Sequence, residues 1–161
     1  METDRVERTI EIEAPVERVW AVITESEHIG VWFGDGTPAK VDLTTGGVMI
    51  FDHAHHGRHL TTIVDVDAPH RFSFLWAAGF PGTQATTENS TLVEFTLEPI
   101  ASGTLLKVTE SGFDALEAMD IPAEMRDKVS IESHSAGWTE VIKRIERHVR
   151  GEELPPLVSS E

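Results

Sequence analysis

Apolar residues recur along this chain with two different periods, and the longest regular stretch runs from Ile131 to Val149. Ile131, His134, Ser135, Trp138, Val141, Ile142, Ile145 and Val149 fall three and four apart, while Glu132, Glu140, Lys143, Arg144, Glu146 and Arg147 take positions between them. That spacing predicts one amphipathic helix, roughly 30 Å long at 1.5 Å per residue. Its apolar stripe is broad and holds a tryptophan, so it must lie on something wide. The chain before it is a series of stretches of period two. Val6, Arg8, Ile10, Ile12 and Ala14 alternate with Glu7, Thr9, Glu11 and Glu13, which predicts a half-buried strand ending at Pro15. Pro15 at the first helical position, with Glu17 in the first turn, opens a short helix carrying Val16, Val19, Trp20 and Ile23 on one face. Ser26 is the expected cap of a second short helix, Glu27 to Phe33, which stops at Gly34-Asp35-Gly36.

Gly46-Gly47 turns the chain into a strand from Val48 to His53, Gly57 closes the next turn, and Arg58 to Asp67 returns as a strand that ends at Ala68-Pro69. Phe72, Phe74 and Trp76 alternate with Arg71, Ser73 and Leu75, so the aromatic set belongs to one face and points inward. Gly79 to Asn89 reads as a polar loop, and Leu92 to Leu97 and Leu105 to Glu110 as two strands around the turn Ala101-Ser102-Gly103. Gly112 to Lys128 is irregular or weakly helical, and Gly151 ends the long helix. One strand, two short helices, five or six antiparallel strands and a long helix make an α+β fold in which a curved sheet wraps the terminal helix.

Composition narrows the chemistry. At 161 residues the chain is long enough to bury about two thirds of its unfolded surface in one core. We read residues 1–151 as a single domain and residues 152–161, with Pro155-Pro156, as a flexible tail. The chain has no Cys, which removes disulfides, thiolate metal sites and cysteine nucleophiles and fits a cytoplasmic protein. No apolar run approaches the roughly 18 residues of a membrane span, and the charged, alternating N-terminus is neither a signal nor a transit sequence. The formal charge of −15, from 28 acidic against 13 basic residues, opposes binding to a phosphate backbone.

Several short stretches together resemble one family. They are Ala14-Pro15-Val16-Glu17-Arg18-Val19-Trp20, Trp32-Phe33, Gly46-Gly47, Val66-Asp67-Ala68-Pro69 with Phe72-Ser73-Phe74, Thr109-Glu110-Ser111-Gly112-Phe113, and Gly137-Trp138. The chain is similar to the START/Bet v 1-like (SRPBCC) helix-grip superfamily, and within it to the activator of Hsp90 ATPase homologue family. The resemblance covers nearly the whole chain and implies a helix-grip fold with an interior ligand cavity between sheet and terminal helix. The side chains expected to face a ligand there are Trp32, Phe51, Phe74, Trp76, Phe95, Glu110, Phe113, His134, Trp138 and Ile142. The same side chains could instead fill the space as an ordinary core.

Glu110 and His134 are the polar groups of interest, because a buried polar group left unpaired costs about 1–3 kcal/mol. They could orient a ligand or act as a general acid and base pair. Alternatively, Glu110 binds backbone amides of the Ser111-Gly112 turn and His134 sits at a solvated mouth. A second cluster, His53, His55, His56 and His59, falls around a hairpin tip. A three-residue turn there would set His53 opposite His59, yet a structural zinc site wants four fixed ligands, and we expect no resident metal and no cofactor. The Trp32-Phe33-Gly34 stretch is either a mobile gate over the interior or a helix end packed on the sheet. The absence of a phosphate-cradling glycine loop, a nucleophile elbow or an HExxH helix argues against the commoner enzyme classes.

The reading that follows is a binding protein for a small hydrophobic molecule, a lipid or an aromatic metabolite. The resemblance leaves two alternatives open. One is a co-chaperone-like module in a stress response, with a chaperone as partner. The other is an enzyme like the cyclases and dehydratases of the superfamily. Ligand identity and oligomeric state, a homodimer included, stay open. The charge balance carries one direct expectation: random duplex DNA at physiological salt is not bound, and micromolar affinity in a fluorescence anisotropy titration would overturn it.

Overall fold

A computed structural model describes residues 5–33, 39–53, 57–77, 82–113, 121, 123 and 130–152. The first strand, β1 (Arg5–Ile12), is followed by helices α1 (Val16–Thr24) and α2 (Ser26–Trp32). Six strands come next: β2 (Lys40–Val41), β3 (Val48–His53), β4 (Gly57–Asp67), β5 (Arg71–Trp76), β6 (Thr91–Ile100) and β7 (Gly103–Ser111). The long helix, α3 (Ile131–Val149), follows them. The strands form one antiparallel sheet in the order β1-β7-β6-β5-β4-β3-β2. Strand β1 therefore leaves its sequence neighbours and joins the far side of the sheet through β7. This is the expected α+β helix-grip architecture, a curved sheet closed around a long terminal helix.

The alternation read from the sequence becomes two faces. Phe72, Phe74 and Trp76 of β5, Val93, Phe95 and Leu97 of β6, and Leu106 and Val108 of β7 are all buried. They meet Trp138, Val141, Ile142, Ile145 and Val149 of α3 in one core, each large side chain contributing about 1.5–3 kcal/mol of burial. Arg8 shares the inner phase of β1 for a specific reason. Its Nε donates to the Thr139 hydroxyl at 3.1 Å, and its Nη2 donates to the Ser135 carbonyl at 3.1 Å and hydroxyl at 2.6 Å, so it ties the edge strand to the helix.

Helix α3 begins where the Ser130 hydroxyl accepts from the Ser133 amide at 3.1 Å. It ends at Gly151, whose φ of 92° lets the amides of Gly151 and Glu152 turn back onto the carbonyls of His148 and Arg147.

Several expectations need correction. Pro15 stands at the N-cap of α1, one position before the first helical residue, and Glu25 rather than Ser26 occupies the N-cap of α2 with no side-chain capping bond. The two-residue β2, which pairs Lys40 with Ile50 and Val41 with Met49, is too short to leave a periodic signal. Strands β6 and β7 run further than their apolar positions suggest, because the ladder continues to Ile100↔Gly103. At the β3–β4 hairpin His53 lies opposite Gly57, and His59 pairs with Phe51. The register is two residues tighter than a His53–His59 pairing needs. Most of the Gly112 to Lys128 stretch, His55 and His56, and the tail beyond Glu152 lie outside the described residues.

The turn from β6 to β7 depends on Gly103. Its φ is +146°, and an added Cβ would sit 2.2 Å from the Ile12 carbonyl oxygen and 2.8 Å from the Ala14 nitrogen, both main-chain atoms. Gly103→Ala is expected to lower unfolding free energy by about 1–3 kcal/mol, read as a fall in urea midpoint at unchanged slope.

Candidate functional site

Along β7 the inner face runs Leu106, Val108, Glu110, so a carboxylate ends an otherwise apolar row. Glu110 lies opposite Val6 on one side and Val93 on the other, and it is fully buried. Three donors converge on it. The hydroxyl of Thr91, at the start of β6, donates to Oε2. The Trp138 indole N–H donates to Oε1 at 2.7 Å, and His134 Nδ1 lies 2.8 Å from Oε1 and 2.9 Å from Oε2. An ionised carboxylate only accepts, so Nδ1 carries the proton in that pairing.

His134 and Trp138 reach the same acceptor because they are four residues apart on α3 and stack on one face. The imidazole lies against Trp76, with centroids 4.9 Å apart and planes 28° apart, and the Phe113 ring stands edge-on at 5.3 Å. The reading in which Glu110 binds backbone amides of the Ser111-Gly112 turn and His134 sits at a solvated mouth does not match this geometry. Glu110 accepts from side chains of β6 and α3, and His134 is buried.

Around this network the expected aromatic residues come together. Trp32, Phe51, Phe74, Trp76, Phe95, Phe113, Trp138 and Ile142 are all buried in the same core. Phe33, absent from the expected set, is the hub. Its ring lies 4.8 Å from Phe51, 4.9 Å from Trp76, 5.6 Å from Trp138 and 6.2 Å from Phe74. Trp32 stacks on it, meets Phe95 edge-on at 5.6 Å, and is fixed by an indole bond to the Val22 carbonyl at 2.7 Å. The Trp32-Phe33 pair is therefore a helix end packed into the interior.

His59 is the second residue missed. It is buried between Phe51, at 5.7 Å, and Trp76, at 5.8 Å. The alternation His59, Thr61, Ile63 on β4 carried that information, but the neighbouring histidines drew attention to the hairpin tip. Among the described residues no three His, Asp or Glu side chains come together in a way that could hold a metal.

The space between sheet and α3 is thus lined by rings in mutual contact. A cleft of about 750 Å³ opens elsewhere, where Ala21 and Val22 of α1, His28 and Val31 of α2, and His148 and Gly151 at the end of α3 meet. It is more open and lies away from the buried polar network.

The model of the family described as activator of Hsp90 ATPase homolog 1-like protein matches residues 13–150. No curated protein matches the sequence. Solved structures share the fold at low identity. Protein MLL2253 from Mesorhizobium loti is 19% identical, with a TM-score of 0.69 over 93% of this chain and 99% of its own. BH1534 from Bacillus halodurans is 22% identical, with a TM-score of 0.69 over 91% and 97%. CalU16 from Micromonospora echinospora is 20% identical, with a TM-score of 0.61 over 94% of this chain and 76% of its own. No helix among the described residues is long and apolar enough to cross a membrane.

The network predicts its own mutational cost. Glu110→Ala strands the Thr91, His134 and Trp138 donors in the core, and unfolding free energy should fall by about 3–5 kcal/mol. Glu110→Gln keeps one acceptor oxygen and should lose clearly less. Equal losses in urea denaturation would mean that the carboxylate is not the common acceptor.

Proposed function

The chain belongs to the activator of Hsp90 ATPase homolog 1-like family, and on that footing we propose that it is a cytoplasmic binding protein for a small hydrophobic molecule with one polar end. The ligand enters between the sheet and α3, its hydrocarbon or aromatic part among the rings around Phe33 and its polar end at Glu110 and His134.

The observation that carries this reading is the hydrogen-bonded Glu110–His134 pair inside an aromatic shell. Burying a carboxylate costs several kcal/mol, and a buried ion pair replaced by well-packed apolar residues often leaves stability unchanged or raised. A fold that needed only a core would be served by Leu or Met there. Two turns of α3 and the start of β6 are instead committed to one acceptor near the end of β7, an arrangement suited to reading a polar group that arrives in an apolar pocket.

Room for the ligand comes from Phe33. This ring touches Phe51, Trp76 and Trp138, and it stands at the C-cap of α2. Withdrawing it forfeits about 1.5–3 kcal/mol of burial, which lowers apparent affinity about 10- to 150-fold relative to a pocket already open. A flat apolar ligand regains that burial by taking the vacated place.

The test uses Nile red, an uncharged apolar dye, with the wild-type chain and Phe33→Ala. Removing the ring should cost about 3–5 kcal/mol of stability and should tighten dye binding at least about tenfold. Glu110→Gln in the Phe33→Ala background should leave dye affinity unchanged but weaken a phenol-bearing analogue of similar size. Absence of dye binding to Phe33→Ala, once circular dichroism shows that the variant is folded, would sink the proposal.

A further inference from the structure

The cleft at the other end of α2 contains a feature that the ligand-binding reading does not use. His28 Nδ1 lies 2.8 Å from His148 Nε2, with ring centroids 4.9 Å apart, so one imidazole hydrogen bond joins α2 to the C-terminal end of α3. Its surroundings come from every element that meets there. Glu17 and Arg18 belong to α1, and Arg18 Nε donates to the Val149 carbonyl at 2.6 Å. Glu25 and Glu27 flank the outer nitrogen of His28, at 3.7 and 4.0 Å. Arg144 of α3 donates to the Val31 carbonyl of α2 at 2.6 Å. Glu152 lines the cleft and pairs with Arg147 at 3.0 Å.

We propose that the His28–His148 pair is an acid-released latch that holds α2, and with it Phe33, against α3.

Proton counting gives the mechanism. In the neutral pair each ring carries one proton, and the latch uses the tautomer in which His28 Nδ1–H donates to the lone pair of His148 Nε2. A proton added to His148 goes to Nε2, the atom that accepts the bond. Two N–H groups then face each other at hydrogen-bond distance, and the rings separate. Burial, first, and then His28, Arg18 and Arg144 hold His148 below the ordinary imidazole range, while a main-chain hydrogen bond at Glu152 works in the opposite sense. The latch therefore stays closed at neutral pH. The linkage has a definite sign. The unfolded chain takes up this proton near the ordinary value of about 6.5 and the folded chain only at lower pH. Stability is thus full above that value and declines as pH falls below it.

Opening at His28 acts at the other end of the same short helix, where Phe33 caps α2. This consequence rests on Phe33 being the ring that a ligand displaces. In the wild-type chain Nile red affinity should rise about two- to tenfold between about pH 7.5 and about pH 5.5, the range that one lost hydrogen bond allows. His148→Gln keeps an acceptor for His28 but cannot take the proton, and its dye affinity should be flat across the interval. Imidazole ¹⁵N spectra should show His148 titrating below the usual range, with faster amide exchange in α2 at the same pH. A His148 titration at the ordinary value, α2 exchange indifferent to it, or the same affinity rise in His148→Gln would overturn the latch. Failure of the dye to bind any variant at any pH would instead count against the ligand reading, and the titration and exchange data would still decide the latch.

Discussion

A single carboxylate fixes how the helix sits on the sheet. Glu110 takes bonds from His134 and Trp138, while one strand away Arg8 donates to Ser135 and Thr139. An acid on β7 and a base on β1 thus hold the same two turns of α3 by adjacent faces. Sliding the helix by one residue would rotate every side chain by about 100° and detach both sets of bonds together. Apolar packing alone tolerates many registers of similar energy. These polar contacts select one, at the cost of desolvating the groups that make them.

How far this was readable from the sequence follows from the kind of signal each part leaves. Periodicity is a property of long elements, and so α3, β1, β4 and β5 were visible with nearly their true limits. β2 has two residues and no period to show. The inward direction of Phe72, Phe74 and Trp76 followed from alternation, and all three are buried. The hairpin register did not follow, because it is decided by turn geometry, which apolar alternation does not report. Glu110 and His134 were conspicuous as polar residues on apolar faces. That they meet, with Thr91 completing the set, depends on strand order and helix placement, which local pattern does not encode. Phe33 was hidden for the opposite reason: an aromatic residue at a helix end has no periodic partner to reveal its direction.

Helix α2 is short but engages two environments. Its C-cap residue, Phe33, is buried among Phe51, Trp76 and Trp138, while His28, near its start, lies half-buried in the cleft against His148. The Trp32 indole bond to the Val22 carbonyl joins its far end to α1. In the proposed latch, a helix of about two turns anchored at both ends would carry a change at one end to the other without any path through the sheet.

The strand order also bears on how the chain reaches its native state. Arg5 of β1 pairs with Ser111 of β7, about a hundred residues away, and the inner faces of both strands are covered only when α3 arrives. The hairpins β3–β4, β4–β5, β5–β6 and β6–β7 can form from neighbours in sequence, but β1 has no local partner at all. Closing so large a loop carries an entropic cost that grows slowly with length yet must be met before any contact repays it, and such non-local pairing sets the slow step in folding. Until then the unpaired N–H and C=O groups along the edge of β7 and the inner side of β1 are uncovered, and the net charge of −15 opposes association of partly folded chains by mutual repulsion.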